Sequence, residues 1–183
     1  MARKKATRAS RPAKRVLLVV DMLNGFLDPA GALFCGKGAR RIIPFVRKTI
    51  GQYRRRRQPV IFIADSHARD DPEFATWPAH CLRGSWEAQV IPELPVGDSP
   101  VIRKRRYSGF FGTRLAGALK ALRPELVEVV GVCTNICVQY TVADLRNRDY
   151  RVRVLKDGVA GFDPKACAFA LEQMHSVLGA EVV

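Results

Sequence analysis

Two kinds of segment alternate along the chain. Compact apolar runs at Val16–Val20, Pro59–Ala64, Val101–Arg103, Val127–Val130 and Val152–Leu155 read as buried strands, the fourth interrupted only by Glu128. Between them apolar residues recur at helical spacing. From about Arg40 to Arg56 they are Ile42, Ile43, Phe45, Val46 and Ile50, with Pro44 near the start. Leu115–Leu122 predicts a short helix. Thr134 and Asn135 are N-cap types ahead of Val138, Val142 and Leu145. Asp163-Pro164 opens a last helix that presents Phe169, Met174 and Leu178 towards a core; Gly179 ends it, and 181–183 make a last short strand. Strands alternating with helices imply an α/β fold, a parallel sheet with helices on both faces.

Ligands of such sheets sit outside the carboxyl ends of the strands, and reactive side chains gather there. Asp21 ends the first run, Asp65 and His67 follow the second, and Lys104 follows the third. Cys137 comes after the fourth strand and a turn at Gly131, at the predicted start of a helix. Free N–H groups and partial positive charge at a helix N-terminus favour a thiolate and an oxyanion. Asp21 is placed to take the proton of Cys137 and return it to a leaving amine, and Lys104 to lower the thiol pKa and hold Asp21. Asp65-Ser66-His67, with Glu73 and then His80, supplies carboxylate and imidazole ligands suited to zinc, iron(II) or manganese(II). All but Asp21, Lys104 and Cys137 of these lie in an irregular segment, 66–99, with two tryptophans, or at its edge. Segments of that length are functional or disordered, and Trp77 and Trp86 argue for order.

The totals narrow the setting. A chain of 183 residues with 48% hydrophobic residues forms one domain with a full core. No apolar run approaches the roughly 20 residues of a membrane span, and no signal-type apolar region lies between the basic start and the first strand, so a cytoplasmic location is expected. Five cysteines at irregular spacing fit a reducing compartment. The net charge of +14 is uneven: residues 1–15 carry seven Lys/Arg and no acid, leaving the body near +7. Residues 1–15 are expected to be a disordered basic arm and 16–183 the domain. The arm and the run Arg54-Arg55-Arg56-Arg57 are candidate contacts for nucleic acid.

Several stretches resemble the isochorismatase-like cysteine hydrolases, and among them the nicotinamidases. They are Val19-Val20-Asp21-Met22 with Phe26; Asp65-Ser66-His67; Pro72-Glu73 followed by Trp77-Pro78-Ala79-His80-Cys81; Lys104 with Tyr107-Ser108-Gly109-Phe110; and Gly131-Val132-Cys133-Thr134-Asn135-Ile136-Cys137-Val138. They stand in family order and span nearly everything from residue 16. The resemblance implies a three-layer α/β/α fold on a six-stranded parallel sheet. It also implies an Asp21–Lys104–Cys137 triad and one divalent metal, zinc before iron or manganese, on Asp65, His67 and His80, with Glu73 as an additional ligand. Phe26 and Trp77 match residues that sandwich the substrate ring. The Val132–Cys133 bond matches a cis peptide that turns the N–H groups of Cys133 and Cys137 towards an oxyanion.

The expected activity is hydrolysis of nicotinamide to nicotinate and ammonia through a cysteine thioester. Small aromatic amides are the expected partners, together with a second copy of the chain. Leu23, Gly25 and Ser85-Trp86 depart from the family pattern and leave the pocket's details open. The alternatives are a relative acting on a carbamoyl or ureido compound, a nucleic-acid-binding protein on a hydrolase fold, and redox sensing through Cys133 and Cys137.

Overall fold

The computed structural model describes residues 15–183. Most of the basic arm proposed as a nucleic-acid contact, residues 1–14, lies outside the described residues. Arg15 opens the first strand.

Six strands, β1 (Arg15–Val20), β2 (Val60–Asp65), β3 (Val101–Lys104), β4 (Leu126–Val132), β5 (Val152–Ala160) and β6 (Glu181–Val182), form one sheet in the order β3-β2-β1-β4-β5-β6. Every pairing is parallel. This is the three-layer α/β/α architecture. Both faces of β1 are buried from Val16 to Val20, so that stretch is continuously apolar. Leu17 and Val19 pack towards α1 (Asn24–Leu27), α2 (Gly36–Arg40) and α3 (Ile43–Arg55). Val16, Leu18 and Val20 pack towards α4 (Leu115–Leu122), α5 (Gln139–Arg146) and α6 (Pro164–Ser176).

Local chemistry explains most boundaries. Pro44 sits in the first turn of α3, where a missing N–H costs nothing. The helix expected over 40–56 is α3, preceded by the short helix α2 and separated from it by residues 41–42. Asp163 caps α6 by accepting the Lys165 N–H at 2.9 Å. One expectation is corrected: Phe169 is 63% exposed, and Ala170 and Met174 are the buried residues of α6. The helical period allows either face of so short a helix to point inwards, and the small Ala170 lets α6 lie close to its neighbours.

Glu128, the interruption in β4, is buried yet satisfied. Its carboxylate accepts from the Tyr53 hydroxyl and from Arg153 at 3.1 Å, with Arg15 at 3.6 Å. The irregular 66–99 segment is ordered by hydrogen bonds rather than by helices or strands. Ile91 N–H donates to Met22 O, Asn24 N–H to Gln89 O and His67 N–H to Cys81 O, each at 3.0 Å. Among the described residues no helix is long and apolar enough to cross a membrane.

The sheet register assembles the site. Asp65 pairs with Lys104 across β2 and β3, and Val20 pairs with both Ile63 and Gly131. Residues ending adjacent strands therefore lie about 4.8 Å apart at one edge. Gly131 makes this possible: its φ is 126°, and a Cβ there would lie 1.9 Å from Val20 O.

Candidate active site

Lys104 is the hub of a buried polar cluster. Its Nζ lies 2.8 Å from Asp21 Oδ2, 2.5 Å from Asp65 Oδ1 and 3.4 Å from Cys137 Sγ. Asp21, left-handed at φ 48°, aims its other oxygen at the Asp65 N–H, 3.0 Å away. Oxygens of Asp21 and Asp65 and the Cys137 sulfur lie within 4.8 Å of one another. Three acceptors at that spacing would also suit a metal, but the ammonium already stands among them. Cys137 lies in a single wide turn, Thr134–Val138, where Val138 N–H reaches back five residues to Cys133 O at 3.2 Å. Such turns are rare and concentrate at functional sites. The turn displaces the start of α5 to Gln139. The Val132–Cys133 peptide bond is cis, and the Cys133 N–H has no acceptor among the described residues.

Burial reverses one expectation about protons. Helix-terminus N–H groups and Lys104 were expected to favour the thiolate. Instead, burial raises the Cys137 pKa well above that of an ordinary thiol; Lys104 opposes this, and the charges of Asp21 and Asp65 add to it. Burial, helped by the Asp65 charge, also raises Asp21 to about 6 against the pull of Lys104. Lys104 itself resists the downward effect of burial because two carboxylates face it, and it stays protonated. Asp65 is likewise pushed up by burial but held well below the carboxylate range by Lys104 and by the neighbouring imidazoles of His67 and His80. Near neutral pH the cluster is a thiol, an ammonium and two carboxylates.

A second group adjoins the first through Asp65. Nε2 of His67 is 3.7 Å from Asp65 Oδ1 and 3.9 Å from Glu73 Oε1, and Nε2 of His80 is 3.8 Å from Asp65 Oδ2. These gaps are too long for hydrogen bonds, yet shorter than two zinc–ligand bonds end to end, about 4 Å. His67 Nε2 and Glu73 Oε2 are buried without a hydrogen-bond partner among the described residues. The far nitrogens are both engaged, His67 Nδ1 with Asp71 at 3.1 Å and His80 Nδ1 with Pro78 O at 2.8 Å. That leaves both Nε2 atoms facing the same space. The residues present therefore fit a divalent cation.

A cavity opens between the two groups. Asp65, Glu73, His80, Cys133 and Cys137 form its polar wall; Phe26, Leu33, Trp77, Tyr107, Ile136 and Phe162 form the apolar one. Phe26 and Trp77 both line it. Tyr107, three residues after Lys104, accepts the Trp77 indole N–H at 3.1 Å. Sequence reasoning missed Phe162, which stacks on Trp77 at 6.2 Å and 17°. It follows Gly161 after β5, which runs five residues beyond the apolar run Val152–Leu155. Glu87 was also missed: its carboxylate accepts the N–H groups of Ala32 at 2.7 Å and Cys81 at 3.0 Å, tying the Phe26 loop to the His80 loop. The sulfur facing Cys133 is that of Cys35, 3.3 Å away, and not that of Cys137.

The parallel sheet, with a thiol, an ammonium and carboxylates at its carboxyl edge, is a hydrolase fold of the α/β/α type. The isochorismatase domain family matches residues 15–183, and the chain belongs to that family. The crystal structure of nicotinamidase PncA from Bacillus subtilis superposes with a TM-score of 0.88 at 29% identity, covering 93% of this chain and 99% of that one. The pyrazinamidase of Pyrococcus horikoshii, solved in complex with zinc, is 33% identical with a TM-score of 0.86, over 93% and 98%. N-carbamoylsarcosine amidase from Thermoplasma acidophilum is 37% identical with a TM-score of 0.84, over 92% and 95%.

Proposed function

We propose that this chain is a metal-dependent amidase that hydrolyses nicotinamide, or a closely similar aromatic carboxamide, to the carboxylate and ammonia. The observation that carries the reading is the composition of the cavity. It is walled by four aromatic side chains, and none of its lining residues is lysine or arginine. A flat neutral ring suits such a slot. A carbamoyl amino acid has no flat ring to cover those aromatic walls. The relative named for N-carbamoylsarcosine makes that the reading to exclude.

In the proposed reaction Asp21 takes the Cys137 proton as the sulfur attacks the amide carbon. A buried thiol with a raised pKa makes a base at this position necessary. Lys104 keeps Asp21 ionised and oriented from 2.8 Å. The N–H groups of Cys133 and Cys137 hold the oxyanion. Asp21 then returns its proton to the departing ammonia, and water, deprotonated by Asp21, releases the acid from the thioester. Asp65, His67 and His80, with Glu73 beside them, would hold the divalent ion, zinc before iron(II) or manganese(II), which would attract the ring nitrogen of a pyridine. The reading carries with it a cytoplasmic setting that keeps five cysteines reduced. It also carries self-association, for which Phe169 and Val177, exposed at 63% and 68% on and just after α6, are the candidate contact.

Ammonia release tests the reading. Nicotinamide should be turned over and N-carbamoylsarcosine should not, chelation should stop turnover, and zinc should restore it. Cys137→Ala should be inactive while folded. Preference for the carbamoyl compound would overturn the substrate, and an active Cys137→Ala enzyme would overturn the chemistry.

A further inference from the structure

Asp71 belongs to neither the triad nor the metal group, yet it touches two of the candidate ligands. It is buried, at 5% exposure, directly before the 3₁₀ turn Pro72–Ala75. Its Oδ2 lies 3.1 Å from His67 Nδ1. Its Oδ1 accepts the Glu73 N–H at 3.0 Å and Arg106 Nη1 at 2.8 Å. Arg106 also stands 3.7 Å from Glu73 Oε2. Both oxygens are thus committed to different partners, and the carboxylate cannot rotate without breaking one of them.

We propose that Asp71 is a positioning residue for the metal group, acting through His67 and Glu73 together. The inference rests on the metal reading given above. A carboxylate on Nδ1 fixes the proton there, so Nε2 presents its lone pair to the cation, and it makes the imidazole a better donor. The same carboxylate caps the turn that carries Glu73 and so sets where that side chain starts. Arg106 pins Oδ1 and leaves Oδ2 for the histidine. His80 has only a backbone carbonyl behind its Nδ1, so the charged support is concentrated on His67.

The test is zinc affinity, read by competition with a chromogenic chelator on the stripped full-length protein. The variants are Asp71→Ala, Asp71→Asn and Asp70→Asn. Asp70 is exposed, so its variant removes one nearby negative charge without touching the ligands. Asp71→Ala should weaken zinc binding about 10–100-fold. Asp71→Asn keeps an acceptor and a turn cap but no charge, and should weaken it several-fold. Asp70→Asn should bind as wild type. The visible spectrum of the cobalt(II) form should change in Asp71→Ala and not in Asp70→Asn. Melting of the stripped proteins measures the turn-capping role separately. If Asp71→Ala fails to fold, Asp71→Asn decides. Wild-type affinity in the folded Asp71 variants, or an equal loss in Asp70→Asn, overturns the role of Asp71 while leaving the metal site standing. Absence of zinc binding by the wild type overturns the metal reading and this proposal with it.

Discussion

Lys104→Met would test the buried cluster most directly. The substitution keeps the length of the side chain and removes its charge. Asp21 and Asp65 would then face each other, buried, without the ammonium that now lies 2.8 and 2.5 Å from them. Breaking a buried ion pair by removing one partner costs about 3–5 kcal/mol. Part of that is recovered because Asp21, already raised to about 6, can take up a proton. The expected loss is therefore at the lower end, about 3 kcal/mol, which for a domain of this size lowers the melting temperature by roughly 6–12 °C. Thermal unfolding of chelator-treated protein by circular dichroism measures it. A second sign follows. Adding Asp21→Asn removes one of the stranded charges, so the double variant should be more stable than Lys104→Met alone. A Lys104→Met protein melting within about 2 °C of wild type, or a double variant less stable than the single one, would refute the hub assignment.

The other predictions concern separate parts of the molecule. Because burial raises Asp21 to about 6 and the base must be ionised, kcat/KM for nicotinamide should fall as the pH drops through about 6; a rate unchanged down to pH 5 would exclude Asp21 as the base. Gly131→Ala should cost about 3 kcal/mol or more, the upper end of single-site effects, since its Cβ would fall 1.9 Å from Val20 O; a soluble variant with wild-type melting would contradict the close approach of β1 and β4. Tyr53→Phe removes a donor to the buried Glu128 carboxylate and should cost about 1.5–3 kcal/mol in urea unfolding. Its turnover should be unchanged, because the pair lies at the far end of β4 from Cys137.

The apolar runs were readable as strands because a parallel strand buried on both faces has to be apolar throughout, and five of the six strands were legible that way. The placement of Asp21, Asp65, Lys104 and Cys137 was legible too. In a parallel sheet all carboxyl ends lie at one edge, so residues that follow strands in sequence meet in space. The Asp-Ser-His pair and its later histidine could be recognised by residue type, and the stretches around them carried the family resemblance. Asp71 and Phe162 left no comparable signal. Asp71 sits in an ordinary Asp-Asp-Pro turn, and Phe162 follows a strand whose length depends on pairing with β4.

What the sequence by itself determined was an α/β chain with a thiol, an ammonium, carboxylates and imidazoles at one sheet edge. Only the tertiary structure decided where the protons sit, which sulfur faces Cys133, which carboxylate supports His67 and what walls the cavity. The reason is physical. Strand identity follows from the local pattern of apolar residues, whereas a pKa, a hydrogen-bond partner or a pocket wall depends on groups brought together from distant parts of the chain. Cys137 shows the difference: its position at the start of a helical turn argued for a thiolate, and the burial supplied by the rest of the fold reversed it.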